Sequence, residues 1–156
     1  MTQSYQNYIA GEWVAGGSEI ENRNPSDVSD IIGLYAQASA DQIDQALDQA
    51  RVAQAEWEAT GIEKKYNVLM AIGTEMMARA EELGTLLSRE EGKPIAEGKG
   101  EVYRAGQFFT YYAAETLRQM GDTADSVRDG IEIDVRREAL GVVGIISPWN
   151  FPTATA

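Results

Sequence analysis

The segment from Ser147 to Pro152, Ser-Pro-Trp-Asn-Phe-Pro, contains the residue types best suited to chemistry. Pro148 and Pro152 disfavour helix at the residues that precede them and stiffen the loop. Such a loop can hold the side-chain amide of Asn150 at a fixed position, where its N–H groups could stabilise a developing oxyanion. An equally weighted alternative is a structural turn in which Trp149 packs and Asn150 caps a backbone group.

The elements that position this segment predict an α/β protein. Gly141 to Ile146 is a continuous apolar run, typical of a strand buried on both faces of a parallel sheet, and ligands bind at the carboxyl ends of such strands. Ile131 to Val135 alternates apolar and charged residues, which predicts an edge or interface strand. Asp122 to Gly130 is expected to be an exposed loop. Near the start, the patterns predict a hairpin over Tyr8 to Val14 and a short strand over Ile31 to Ala36.

The middle of the chain predicts three long helices. Capping-box spacing, a hydroxyl residue followed three positions later by Glu or Gln, marks the first two starts, at Ser39–Gln42 and Thr60–Glu63. Gly92 ends the second helix, and the third extends from about Ile95 to Met120. The 3-4 apolar spacing of the second helix could form a coiled-coil seam, as in a scaffold protein. The flanking strands and Gly73 on that seam favour packing against a domain core instead.

The composition excludes several kinds of chemistry. The 156 residues include no Cys and no His, which removes disulfides, Cys or His metal sites, Cys nucleophiles and imidazole triads. Lys and Arg total 13 against 25 Asp and Glu, a net charge of -12 that argues against nucleic acid and anionic membranes as partners. No apolar run approaches the roughly 18 residues of a membrane span, and no signal peptide is evident. We therefore expect a cytoplasmic protein.

Two other candidate motifs favour structural interpretations. The dinucleotide fingerprint G-x-G-x-x-G is absent, and Gly98-Lys99-Gly100 falls within the third helix rather than between a strand and a helix. Glu81-Glu82 and Glu90-Glu91 are adjacent helical residues that point to different faces. We expect both carboxylate pairs to be solvated surface rather than catalytic dyads.

Taken together, the motifs resemble those of the aldehyde dehydrogenase superfamily. Gly144 to Pro152 is similar to that family's P-W-N-F-P signature. Four further segments resemble family motifs in the same order along the chain: Tyr8 to Trp13, Asn24-Pro25, Glu90 to Pro94, and Glu138 to Val143. In the last of these, Ala139 stands in place of the usual proline. The resemblance covers essentially the whole sequence.

The resemblance implies an enzyme that oxidises a small aldehyde to a carboxylate or thioester with NAD or NADP. In such enzymes a Cys thiolate forms a thiohemiacetal, hydride passes to the nicotinamide, and a Glu-activated water releases the acid. The position that matches the catalytic oxyanion-hole amide is Asn150. The cofactor-contacting strand end matches Ile146, Ser147, Pro148, Trp149 and Asn150, and Phe151 matches a residue of the substrate tunnel.

The resemblance also implies a domain organisation. Residues 1–121 and 140–156 correspond to the N-terminal part of a Rossmann-like NAD(P)-binding domain, and 122–139 to an arm that joins subunits of a homo-oligomer, a dimer or a homotetramer. The catalytic Cys, the general-base Glu and the catalytic domain lie outside these residues, so we expect the isolated chain to be inactive. The alternative is a stand-alone acidic binding or assembly module that recruits a partner through an edge strand. Among possible substrates, the motifs look most like those of semialdehyde dehydrogenases such as those acting on 2-oxoglutarate semialdehyde.

Overall fold

A computed structural model describes residues 2–156, which form seven strands and five helices. The strands are β1 (Ser4–Tyr5), β2 (Asn7–Ile9), β3 (Glu12–Val14), β4 (Ser18–Arg23), β5 (Ile31–Gln37), β6 (Asp122–Asp125) and β7 (Glu132–Val135). The helices are α1 (Ala40–Ala59), α2 (Ile62–Ala78), α3 (Ala80–Glu91), α4 (Ile95–Thr116) and α5 (Pro152–Thr155). This mixture of short sheets and long helices agrees with the predicted α/β class.

Two small sheets form the N-terminal end. β5 is the centre of a three-stranded sheet, parallel to β1 and antiparallel to β4, and β2 pairs with β3 in a hairpin. The hairpin turns at Ala10 and Gly11, whose φ angles of 53° and 86° match the two left-handed positions of a tight turn. The predicted hairpin and the predicted strand at Ile31 to Ala36 are therefore confirmed.

The ends of the helices show which of the predicted capping residues are correct and which are wrong. At α1 the capping box is complete, since Gln42 N donates to Ser39 Oγ over 3.2 Å and Ser39 N donates to Gln42 Oε1 over 3.0 Å. The second predicted box is wrong: Gly61 is the N-cap of α2, because the Thr60 hydroxyl donates to Glu56 O at the end of α1. Gly92 ends α3 with a φ of 85°, as predicted.

Two helix boundaries differ from the prediction. The second predicted helix is two helices, α2 and α3, which break at Arg79, where the backbone leaves the helical region with φ -98° and ψ 14°. The Arg79 guanidinium bonds Glu75 and Glu82 across the break. The third predicted helix ends at Thr116 instead of Met120, because the last turn tightens and Leu117 N bonds Ala114 O.

The core lies where α4 packs against α2 and α3. Its buried face on α4 consists of Gly98, Glu101, Val102, Ala105, Gly106 and Ala113. Two crossings are so close that a side chain would not fit: a Cβ on Gly73 would lie 2.5 Å from Gly106 O, and one on Gly84 would lie 2.5 Å from Lys99 Cα. The apolar stripe of α2 thus faces a domain core, as predicted, rather than forming a coiled-coil seam.

Polar contacts join the three-stranded sheet to α3. The Arg89 guanidinium donates to both Asp30 carboxylate oxygens, over 2.9 and 2.6 Å, and with Asn24 it holds the pKa of that carboxyl below its usual value. The Tyr35 hydroxyl donates to Glu90 Oε1 over 2.9 Å. Burial, followed by this bond to a carboxylate, raises the pKa of Tyr35 to about 12.

β6 and β7 form an exposed antiparallel ribbon. The strand expected over Ile131 to Val135 is present as Glu132–Val135. The loop expected over Asp122 to Gly130 is wrong in its first part, because Asp122–Asp125 supplies the hydrogen-bonding partner that β7 needs.

The strand expected over Gly141 to Ile146 is also wrong for this structure. The segment is unpaired, and Ile146 is fully exposed. A strand needs hydrogen-bonded neighbours, and within residues 2–156 none lies beside it. Separately, no helix within that range is long and apolar enough to cross a membrane.

Candidate functional site

Asn150 lies in an exposed turn immediately before α5. Trp149 beside it is 86% exposed, so it does not pack as a structural turn requires. Within residues 2–156 the Asn150 side chain has no hydrogen-bond partner, and only its backbone carbonyl is bonded. The purely structural interpretation of this turn therefore fails for the described chain, and the amide is left free to bind something else.

The loop rests on a buried ion pair between Lys93 and Glu101. The side chain of Glu101 is fully buried and that of Lys93 is only 8% exposed. Lys93 follows the end of α3, and Glu101 lies on the inner face of α4. A buried charge is tolerated when it is paired and its remaining lone pairs or protons are hydrogen-bonded. The other contacts of the two side chains meet this requirement.

The ammonium group of Lys93 has three further partners. It donates to Asn150 O over 2.8 Å, pairs with Glu91 Oε1 at 3.0 Å, and lies 4.4 Å from the centre of the Phe151 ring. Burial by itself lowers the pKa of Lys93, but the bonds to Glu101 and Glu91 outweigh that effect and raise it. Lys93 is therefore a fixed cation that binds the loop on the Asn150 side of Pro152.

Glu101 binds the loop on the other side of Pro152. Its Oε1 accepts from Thr153 N over 2.8 Å and from Ala154 N over 3.2 Å. These amides belong to the first turn of α5 and have no partner inside that helix. The carboxylate thus satisfies them, and the lysine and the glutamate together hold the backbone on both sides of the proline.

The connection that carries Lys93 is itself supported by the N-terminal part of the chain. The Ser26 hydroxyl donates to Gly92 O over 3.1 Å, and a Cβ on Gly92 would lie 2.8 Å from Pro25 Cγ. The Asn24-Pro25 turn and the Glu90 to Pro94 junction, noted as separate motifs in the sequence, are therefore neighbours in space. Together they fix the place from which Lys93 reaches the loop.

The structure brings some of the predicted site residues together and leaves others apart. Asn150 and Phe151 lie at the lysine, whereas Ile146 and Trp149 are exposed and Ser147 is half-buried. The prediction of a solvated surface holds for Glu81 and Glu82. It also holds for Glu90, which is exposed and accepts a bond from Tyr35, but it is wrong for Glu91, whose side chain is 12% exposed because it pairs with the buried lysine.

Sequence reasoning gave no role to Lys93 or Glu101. One signal for Glu101 was available: it lies three residues after Gly98 and next to Val102, and therefore on the stripe of α4 that faces the core. An acidic residue on an apolar stripe must find a partner, because an unpaired buried charge is costly. No comparable signal linked either residue to the loop at Asn150.

The segment from Ile146 to Asn150 fits one part of a dinucleotide site. Its side chains are exposed except that of the half-buried Ser147, and the Asn150 amide can donate. A Gly-rich phosphate loop is missing from the sequence.

Comparison with known proteins agrees with the fold. The model of the aldehyde dehydrogenase family matches residues 13–156. This chain belongs to the aldehyde dehydrogenase family. Among curated relatives, alpha-ketoglutaric semialdehyde dehydrogenase of Bacillus subtilis is 38% identical over 154 residues, which cover 97% of this chain and 31% of the relative.

Solved structures give the same result. An NAD-dependent aldehyde dehydrogenase from Sinorhizobium meliloti matches with a TM-score of 0.91 and 32% identity, over 99% of this chain and 32% of that one. An NADP-dependent glyceraldehyde-3-phosphate dehydrogenase from Bacillus halodurans, complexed with NADP, matches with a TM-score of 0.91 and 30% identity, over 98% and 33%. The chain thus has the N-terminal part of the aldehyde dehydrogenase fold, spans about a third of the length of these proteins, and has neighbours that depend on NAD or NADP.

Proposed function

We propose that this chain is the N-terminal part of an enzyme that oxidises an aldehyde to a carboxylate with NAD or NADP. The observation that carries the proposal is the Asn150 amide, which is exposed, free of partners within residues 2–156 and attached to a loop whose backbone is held by buried charges. A preorganised amide of this kind can stabilise the negative charge that develops on a carbonyl oxygen during attack.

In this proposal each residue of the loop has a defined task. Asn150 donates its side-chain N–H to the developing oxyanion. Ile146, Ser147, Pro148 and Trp149, with Asn150, contact the cofactor, and Phe151 lines the path of the substrate. The cofactor, when bound, accepts the hydride. The thiolate comes from outside these 156 residues, since the sequence contains no Cys, and we place the general-base Glu outside them as well.

The proposal extends to the domain organisation and assembly. Residues 1–121 and 140–156 form part of the NAD(P)-binding domain, where further strands of the complete protein pair with Gly141 to Ile146 and cover its exposed apolar side chains. Residues 122–139 form the arm that joins subunits of a homo-oligomer. The exposed ribbon of β6 and β7 supports this role, because its backbone edges and half-exposed Ile133 and Val135 are available to a second copy.

For the substrate we propose a small acidic semialdehyde such as 2-oxoglutarate semialdehyde. The support is the 38% identity to the alpha-ketoglutaric semialdehyde dehydrogenase of Bacillus subtilis, whose name contains an older term for the same semialdehyde.

The test is formation of NADH or NADPH by the complete protein, followed at 340 nm, with 2-oxoglutarate semialdehyde, succinate semialdehyde and a long apolar aldehyde. We expect a higher kcat/KM for the acidic semialdehydes with one of the two cofactors. A preference for the long apolar aldehyde would remove the substrate proposal and keep the reaction. The isolated chain 1–156 is expected to give no steady rate and no tight NAD binding. Steady turnover by it would contradict the division of the active site between this chain and the rest of the enzyme.

A further inference from the structure

We infer that Lys93 and Glu101 are positioning residues that set the place of the Asn150 amide by clamping the backbone on both sides of Pro152. The inference rests on the proposed function of Asn150. It adds two residues that take no direct part in the proposed reaction. Neither side chain bonds the Asn150 amide, so both act through the loop.

The geometry of the clamp argues for a function beyond stability. A lysine and a glutamate from the α3–α4 region form hydrogen bonds with a backbone segment that lies more than 50 positions further along the chain. The bonds involve one carbonyl and two amide groups of that segment. The carbonyl belongs to Asn150 itself, at 2.8 Å from Lys93 Nζ. The two amides, of Thr153 and Ala154, follow within four residues. Three bonds across five residues leave the backbone at Asn150 little freedom to move.

The surroundings of the clamp add to its rigidity. Glu101 lies on the α4 face that packs against α2 and α3, so its carboxylate moves only if the core moves. The ring of Phe151 covers Lys93, and Glu91 holds the same ammonium from the end of α3. An amide that is held in place before the reaction is the kind that contributes most to oxyanion stabilisation, and displacement by about 1 Å can cost a factor on the order of 100 in rate.

The experiment is a double-mutant cycle in the complete protein. Glu101→Gln keeps the size of the side chain and removes the charge that fixes Lys93. We expect it to lower kcat about 10- to 100-fold with a smaller change in KM for the aldehyde, and to leave the affinity for the cofactor within about twofold. In the Asn150→Ala background the same substitution should change kcat less than about twofold, because the group it positions is gone.

The matched control is Glu81→Gln. Glu81 also pairs with a lysine of α4, Lys99 at 2.5 Å, but its side chain is 79% exposed and it has no contact with the loop. We expect its kcat to equal that of the unmodified enzyme. If the control variant loses as much activity as Glu101→Gln, general damage to the packing of α3 on α4 explains the effect. That result would overturn the inference.

The outcomes separate this inference from the proposed function. If Asn150→Ala leaves kcat unchanged, the proposed role of Asn150 fails, and the inference fails with it. If Asn150→Ala lowers kcat while Glu101→Gln has no effect, or an effect that simply adds to that of Asn150→Ala, only the positioning role is lost.

A measurement on the unmodified enzyme keeps the test decisive if Glu101→Gln does not fold. Hydrogen exchange should find the Thr153 and Ala154 amides strongly protected, although they are in the first turn of a helix, where amides have no partner inside the helix. Exchange at the rate of an open loop would overturn the clamp.

Discussion

The helical layer of α2, α3 and α4 and the stretch from Glu138 to Trp149 are both rich in apolar residues, yet they differ in burial. Val102 and Ala113 of α4 are almost completely buried, whereas Leu140 is 95% exposed. A helix makes its backbone hydrogen bonds internally and needs cover only for its apolar face, which neighbouring helices provide. A strand needs at least one hydrogen-bonded neighbour, and a strand in the interior of a sheet needs two. Within residues 2–156 the helical layer therefore has both its backbone hydrogen bonds and a buried core, whereas the later stretch has neither.

The clamp of Lys93 and Glu101 is the place where these two regions meet. The well-packed α4 supplies the carboxylate, and the exposed loop supplies the backbone groups and Asn150. The loop is thus ordered at its α5 end by contacts within the chain, while the segment before it is unpaired within residues 2–156. For the 156-residue chain, this division predicts that substitutions reduce stability strongly in the layer and the clamp, and only slightly in the exposed stretch.

The largest loss of stability is expected for Lys93→Met. It leaves Glu101 and Glu91 buried without their cation, which costs about 3–5 kcal/mol when one partner of a buried pair is removed. Native-state hydrogen exchange of the α4 amides in the complete protein measures this loss as a decrease in the free energy of unfolding of α4. A change below about 1 kcal/mol would mean that water reaches the pair in solution.

Gly73→Val is expected to have the next largest effect. Its side chain would collide with the Gly106 carbonyl and Thr110, and overpacking of this kind costs about 1–3 kcal/mol. The matched control is Gly100→Ala, since a Cβ there meets nothing within 4 Å. That substitution should stabilise α4 by about 0.5–1 kcal/mol through helix propensity. Equal effects at the two positions would contradict the close crossing of α2 and α4.

A smaller, pH-dependent effect on stability is expected for Tyr35, which joins the three-stranded sheet to α3. The pKa of Tyr35 is raised to about 12, so folding favours the neutral phenol. The stability that it contributes is complete below pH 10, falls as the unfolded-state phenol ionises, and is lost as the pH passes through about 12. Tyr35→Phe should remove this part of the alkaline dependence. Absorbance titration of the phenols checks it, and a midpoint for Tyr35 near 10 would contradict the partial burial of Tyr35 and its bond to Glu90.

The smallest effect is expected for Ile145→Ala in the 156-residue chain, below about 0.5 kcal/mol, because the side chain is already exposed. In the complete protein, where we propose that further strands cover this segment, the same substitution should cost about 2–5 kcal/mol. Thermal unfolding of both proteins makes the comparison. An equally small shift in the complete protein would contradict the proposed pairing.

The parts of the fold that could be predicted depend on residues close together in the chain. The Ser39 capping box, the turn at Ala10 and Gly11, and the helix end at Gly92 each involve fewer than five residues. The break at Arg79 was missed because the apolar stripe continues through it. The Thr60 box failed because the end of α1 competes for the same hydroxyl.

The candidate site shows the same limit at longer range. The turn with Asn150 could be found from the prolines and the amide in one short segment. The clamp could not, because Glu101 and Thr153 are 52 positions apart and meet only after α4 has packed. The strand at Gly141 to Ile146 was expected from its apolar run, but a run of residues does not supply the neighbouring strands that would pair with it.

The most direct test of the central claim is kcat of the complete enzyme with Asn150 replaced by Ala and by Asp. The melting temperatures of both variants, compared with that of the unmodified enzyme, check that neither change disturbs folding. Loss of an oxyanion-hole donor predicts a fall of about 100- to 1000-fold for Asn150→Ala, and a greater fall for Asn150→Asp, because a carboxylate repels the developing charge. A kcat within about threefold of the unmodified enzyme for Asn150→Ala would contradict the role of Asn150 in stabilising the oxyanion.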